Sequence, residues 1–173
     1  RRDGNMSTFE YKVQSVRKAF NAGLYEPALA LALTLPDICA IIEYPNITLV
    51  GERYIKWSNS HIFIDNPSNV NENFAGAALY QLRCNFLHSG SSDIHKNSGS
   101  PTGQVYIKHF SLMKPKVNKE GSGELLVQAA VLKDTDTQEE IYAVKMNLRY
   151  IIEQICDTAE LFYEGWGNKS DFD

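Results

Sequence analysis

Apolar residues recur at helical spacing along most of this chain. Phe9, Val13, Val16 and Phe20 step by four, three and four, which predicts an amphipathic helix over residues 7–21. Ser7 or Thr8 can cap it, Glu10 lies in its first turn, and Asn21-Ala22-Gly23 ends it. A second helix is predicted from Tyr25 to Glu43, so rich in Ala, Leu and Ile that it should be the most buried. Pro27 falls in its first turn, where proline is tolerated; Pro36 removes a backbone donor and should kink or split it. After the turn Tyr44-Pro45-Asn46 a third helix spans Leu49 to Phe63. After the loop Asp65–Asn71 a fourth spans Glu72 to Ser89, with Ala75, Leu79, Leu82 and Phe86 as its stripe and Ser89-Gly90 as its stop.

The period then changes to two. Beyond a Ser-, Gly- and Asn-rich stretch at 91–103, Gln104–Met113 and Glu124–Leu132 read as strands joined by the loop Lys114–Gly123, a hairpin signal. Helical spacing returns with Thr137, and Ile141, Val144, Leu148, Ile151, Ile155, Ala159 and Phe162 carry a last helix over 137–163. Residues 165–173 should fray. The expected fold is mainly α: a helical bundle of four to five helices with an inserted antiparallel β-hairpin before the last helix. It forms one domain over 1–173, with the first helices at 7–90 and the hairpin at 104–132. Leu79, Leu82, Phe86, Leu148, Ile151 and Ile155 should be buried together.

Composition narrows the function. A net charge of -4 argues against a general nucleic-acid coat, though not against a small basic cleft. Lys108, Lys114, Lys116 and Lys119 make the hairpin locally basic, either toward RNA or as a protected strand edge. The cysteines Cys39, Cys84 and Cys156 have no paired spacing, which fits reduced thiols in the cytoplasm and no structural zinc. His95 and His109 have no spaced partners for a ligand role. The richest apolar run, Ala28–Leu35, is short for a bilayer span, so no membrane partner is expected. With no Walker loop, dinucleotide glycine motif, zinc spacing or nucleophile elbow, no cofactor and no metal are expected.

The candidate chemistry lies in Arg83-Cys84-Asn85-Phe86-Leu87-His88-Ser89-Gly90. Arginine offers fixed cationic donors suited to phosphate, and histidine titrates near neutrality. Together they suffice to cleave a phosphodiester without a metal. Five positions on a straight helix are about 140° around and about 7.5 Å along, so the two side chains do not share a face. One chain brings both tips to one phosphate only if the helix unwinds at Leu87-His88. A two-fold dimer pools two copies of each residue in one cleft. The alternative is structural: the histidine pairs with the last helix carbonyls, and the arginine with a carboxylate such as Glu43 or Glu52. Arg53, Trp57 and His61 repeat every four residues on the third helix. They form either a core or interface face or an RNA-binding wall, with Trp57 stacking on a base and Arg53 on phosphate.

The segment Tyr80–Gly90 resembles the HEPN superfamily of helical domains, whose signature is an arginine, four to six residues, then a histidine on a late helix of a small bundle. The run Gly51-Glu52-Arg53-Tyr54-Ile55-Lys56-Trp57 is similar to uncharacterised bacterial proteins that carry this signature. The resemblance covers roughly Leu24–Gly90 and, more loosely, the last helix. Cys84 stands where active members commonly have Asn, and Asn85 comes one place later. The resemblance implies a homodimeric, metal-independent endoribonuclease acting on single-stranded RNA, with Arg83, His88 and Asn85 catalytic. It also implies a toxin or defence role, with an antitoxin or other protein as partner. Two other readings stand beside it: a non-catalytic dimeric RNA-, nucleotide- or protein-binding module, and a helical regulator whose hairpin holds a partner protein.

Overall fold

A computed structural model of the protein describes residues 6–62, 74–89, 107–113, 127–133 and 140–172. These residues are mainly helical: α1 (Thr8–Asn21), α2 (Tyr25–Ala32), α3 (Leu35–Glu43), α4 (Val50–His61), α5 (Phe74–Ser89) and α6 (Leu148–Gly165). Three strands, β1 (Ile107–Met113), β2 (Val127–Lys133) and β3 (Glu140–Asn147), lie between α5 and α6 in the chain. The expected loops at 65–71, 91–103 and 114–123, the stop at Gly90 and the start at Thr137 fall outside the described residues.

Helix α1 begins at a capping box. The Glu10 amide donates to Ser7 Oγ at 3.1 Å, and the Ser7 amide to Glu10 Oε2 at 2.7 Å. It ends at Gly23, whose φ of 77° lets the Leu24 amide turn back onto the Ala19 carbonyl at 2.9 Å. The predicted helix Tyr25–Glu43 is split as Pro36 requires. Pro36 enters the first turn of α3, where its missing N–H has no acceptor to lose. Taken as one stretch, Tyr25–Glu43 is 19 residues, long and apolar enough to cross a membrane by length and composition. That corrects the expectation that no such stretch exists. Here it is two helices that bury Ala28, Leu29, Ala32, Leu35, Cys39 and Ala40 in the common core.

Helices α4 and α5 run antiparallel and approach closely at two glycines. A Cβ on Gly76 of α5 would collide with the Ile55 carbonyl oxygen and lie 2.6 Å from Asn59 Oδ1. A Cβ on Gly51 of α4 would lie 2.8 Å from the Tyr80 ring of α5. Each helix therefore supplies a glycine that admits the other. Asn59 Oδ1 also accepts the Gly76 amide at 2.7 Å, satisfying a donor that the first turn of α5 leaves without an intrahelical partner. Around this pair Tyr54, Trp57, Leu79 and Leu82 are fully buried, and the Tyr54 hydroxyl donates to the Leu33 carbonyl at 3.3 Å. Leu148, Ile151 and Ile155 of α6 join the same core, and Phe86 packs half-buried against it. Both stripes belong to one core as expected, but α5 packs chiefly on α4, whereas α6 packs chiefly on α1, α2 and α3.

The β region differs from the expected hairpin. β1 and β2 do not pair with each other; both pair with β3, giving the order β1-β3-β2, with β1 parallel and β2 antiparallel to it. Residues 140–147, expected to be helical, form the central strand. The segment Ile-Tyr-Ala-Val-Lys-Met fits both periods, and Asn147 decides where the helix starts: its Oδ1 accepts the Arg149 and Tyr150 amides at 2.9 and 3.4 Å. The end of the chain is a second correction. Residues 169–172 do not fray but form a 3-10 turn that returns to the core. Phe172, 7% exposed, packs on Phe9, Phe162 and Tyr163, while the Lys169 ammonium donates to the carbonyls of Tyr163 and Glu164 at the end of α6.

Two consequences are measurable. Gly76→Ala should lower stability by roughly 1–3 kcal/mol, because its methyl meets backbone. Gly51→Ala should cost less, because the mobile tip of Tyr80 can yield; melting temperatures in the reverse order would show that the α4–α5 approach is looser than described. Cys39 and Cys156 are buried, and burial raises both thiols, that of Cys156 to about 12. Iodoacetamide should therefore label half-buried Cys84 first and reach the other two only on unfolding.

Candidate functional site

Helix α5 carries Arg83 toward α3. The guanidinium holds Asp37 Oδ2 through Nε at 3.1 Å and Nη2 at 3.0 Å, and both side chains are 22% exposed. Neither Glu43 nor Glu52, the partners suggested by sequence, fills this place: Glu43 is bound to His61 and Glu52 is exposed. Burial raises the Asp37 carboxyl above its ordinary range, and Arg83, with a smaller share from Arg53, pulls against that rise without cancelling it. Burial works against the Arg83 charge as well, but attraction to Asp37 reverses this and leaves the guanidinium more firmly protonated than usual. Cys84 lies close enough to Tyr80 and Arg83 to act on the ionisation of both, so the residue after the arginine belongs to this cluster. Tyr80 in turn packs on buried Tyr54, with ring centroids 5.5 Å apart.

His88 lies exposed in the last turn of α5 and makes no hydrogen bond or ion pair with another described residue. Asn85, between the two, is half-buried. Helix α5 continues to Ser89 without unwinding at Leu87-His88. The offset of about 140° between Arg83 and His88 therefore stands: the arginine faces α3 while the histidine faces solvent.

The proposed wall on α4 is not one surface. The Arg53 Nη1 donates to the Ile47 carbonyl at 2.9 Å and fastens the α3–α4 connection. Trp57 is fully buried and has no face for a base arriving from solution, which corrects its assignment to substrate binding. His61, half-buried, lines an opening at the end of the helix. Its Nε2 lies 2.7 Å from Glu43 Oε2, and its ring stacks on Trp57 with centroids 4.9 Å apart. The opening is a cleft of about 410 Å³ lined by His61, Thr158, Leu161, Phe162, Gly165 and Trp166.

Sequence reasoning missed Asp37 and Trp166. Asp37 had a visible signal, being the only charged residue from position 27 to position 42. Trp166 had none, because its position depends on the returning tail: its indole N–H donates to Asp171 Oδ2 at 2.8 Å. No group of three or more His, Cys, Asp or Glu side chains is placed to share a metal ion among the described residues. No protein-family model, curated protein or solved structure matches the chain.

The Arg83–Asp37 pair is open to a double-mutant cycle. Arg83→Ala, Asp37→Ala and the double variant should reveal a coupling of roughly 0.5–3 kcal/mol in denaturant unfolding. The double variant should be more stable than the sum of the single losses implies, since it leaves no half-buried charge alone. Strict additivity would show the two side chains to be independent.

Proposed function

We propose that this chain is a HEPN-like helical protein that cleaves single-stranded RNA without a metal ion. The observation that carries the reading is the layout of α5: an arginine anchored by Asp37, then an exposed histidine at the end of the same helix. A general acid or base must reach the proton it moves, and His88 is open to solvent. A guanidinium that stabilises phosphoryl charge works best when held in advance, and Asp37 holds Arg83.

In this mechanism the ribose 2′-hydroxyl attacks the neighbouring phosphorus as a base takes its proton. The 5′-oxygen leaves with a proton from an acid, giving a 2′,3′-cyclic phosphate and a free 5′-hydroxyl. His88 serves as one of these groups, Arg83 stabilises the crowded phosphoryl oxygens, and Asn85 orients the phosphate or the imidazole. Because Arg83 and His88 point apart on one helix, the reading includes a homodimer in which the His88 of one protomer works beside the Arg83 of its partner. The resemblance to HEPN proteins adds a toxin or defence role controlled by an antitoxin or another protein.

A second reading is favoured by the same ion pair. Arg83 spends Nε and Nη2 on Asp37 and is mostly covered, as a structural arginine would be. The chain is then a non-catalytic HEPN-like module that binds RNA, a nucleotide or a protein.

Cleavage assays separate the two. The ribonuclease reading requires cleavage of single-stranded RNA that persists in excess chelator and leaves 2′,3′-cyclic ends. His88→Ala should abolish it with little change in melting temperature, and Arg83→Ala should slow it by about 10²–10³-fold. If the wild type shows no chelator-resistant cleavage, the binding-module reading takes its place.

A further inference from the structure

The segment that follows α6 is built as one small unit. The Trp166 indole N–H donates to Asp171 Oδ2 at 2.8 Å, and Asn168 Nδ2 donates to Asp171 Oδ1 at 2.7 Å. Ser170 Oγ donates to Asn168 Oδ1 at 2.8 Å, and the Asp171 amide donates to the Asn168 carbonyl at 3.3 Å. One carboxylate thus clasps both ends of residues 166–171. These bonds are internal to the segment, so it can move as one piece.

Its hold on the bundle is of a different kind. Phe172, 7% exposed, packs on Phe9, Phe162 and Tyr163, with ring centroids 4.7, 6.1 and 4.9 Å away. The Trp166 ring lies 5.3 Å from that of Phe162. The Lys169 ammonium lies 4.4 Å from the centre of the Tyr163 ring and donates to the carbonyls of Tyr163 and Glu164. Apart from Phe9, every receiving group belongs to the last turn of α6.

This hold is modest for the length of chain it orders. Phe172 is the one buried side chain of the segment; Trp166 and Lys169 are half-buried, and Gly167, Asn168, Ser170 and Asp171 are exposed. Exposed Gly165 and Gly167 flank Trp166, and glycine loses more backbone freedom on ordering than any other residue. Releasing the segment therefore costs less than opening the bundle core, which buries apolar side chains from every turn of α6 before its last.

The movement has a consequence for the cleft. Trp166 lines it with His61, Thr158, Leu161, Phe162 and Gly165, and the clasp to Asp171 makes Trp166 part of the moving unit. The closed segment sets this wall in place. The open one withdraws it and uncovers the rings of Phe9, Phe162 and Tyr163.

We propose that residues 166–172 are a strap, hinged at the end of α6, whose closing assembles the aromatic cleft and whose opening takes it apart. The strap is separate from the cleavage chemistry assigned to α5 and does not rest on it.

Hydrogen exchange followed by NMR reads the opening directly. The amides of Trp166 and Asp171, both hydrogen-bonded, should exchange about a hundredfold or more faster than those of Ile155 and Ala159 in the buried part of α6. Tryptophan emission gives a second readout. The chain has two tryptophans and Trp57 is fully buried, so quenching by acrylamide reports Trp166. Phe172→Ala should raise that quenching about twofold or more, as local opening requires, and speed trypsin cleavage after Lys169. Its melting temperature should fall far less than that of Ile155→Ala. Lys169→Met, which keeps the stem and gives up the two carbonyl bonds, should shift quenching in the same direction. The proposal is overturned if the Trp166 and Asp171 amides exchange as slowly as those of Ile155 and Ala159, or if Phe172→Ala leaves quenching of Trp166 unchanged. It is equally overturned if Phe172→Ala lowers the melting temperature as much as Ile155→Ala, since the segment would then be part of the core.

Discussion

The close approach of α4 and α5 fixes most of what is distinctive here. Two helices come this near only where side chains are absent, and Gly51 and Gly76 provide the two gaps. The Ile55 carbonyl and the Asn59 amide side chain fill one, and the Tyr80 ring fills the other. Because interiors are packed to crystal-like density, a contact of this kind defines both the rotation and the axial position of α5. Arg83 reaches Asp37 and His88 reaches solvent only in that setting.

Electrostatics then act on a prepared geometry. Asp37 is the only charge in a long apolar run, and folding carries it partly out of water. Such a carboxylate needs a partner that approaches through several donors, and a guanidinium does so with Nε and Nη2. The pair joins α5 to the start of α3, while the Glu43–His61 pair joins the end of α3 to the end of α4. The Arg83–Asp37 ion pair and the hydrogen-bonded His61–Glu43 contact thus tie three helices in a mutual register that apolar packing alone would leave more tolerant.

Helix α4 divides the molecule's chemistry between its two ends. Arg53 at one end fastens the loop beneath the Arg83 cluster, and His61 at the other forms part of the aromatic cleft. Trp57, between them, faces inward and contacts both His61 and Phe162. Its indole N–H and the Ser58 hydroxyl have no hydrogen-bond partner among the described residues, an uncommon cost in a core this well packed. The returning tail completes the cleft by holding Trp166, so stability and the shape of that surface depend on the same contacts.

Much of this was legible in the chain itself. Helical periodicity located α1, α4 and α5, Pro36 located the break between α2 and α3, and Ser7 with Glu10 marked the first cap. These are local properties, decided by turns and neighbours within four residues. The arginine and histidine of α5 could likewise be read as a candidate pair from their spacing. The partner of Arg83 could not, because Asp37 is 46 positions away and is selected by how three helices pack. Residues 140–147 satisfied two periods at once, and pairing with strands distant in sequence made them extended. Trp57, on a face that sequence alone could not assign, was turned inward by the position of α6. The sequence by itself determined where α1 begins and where α2 breaks from α3, since short-range steric and hydrogen-bonding terms govern those choices. Only the tertiary structure decided which charges meet and which aromatic rings reach water, because both depend on contacts between segments that the chain's own order keeps apart.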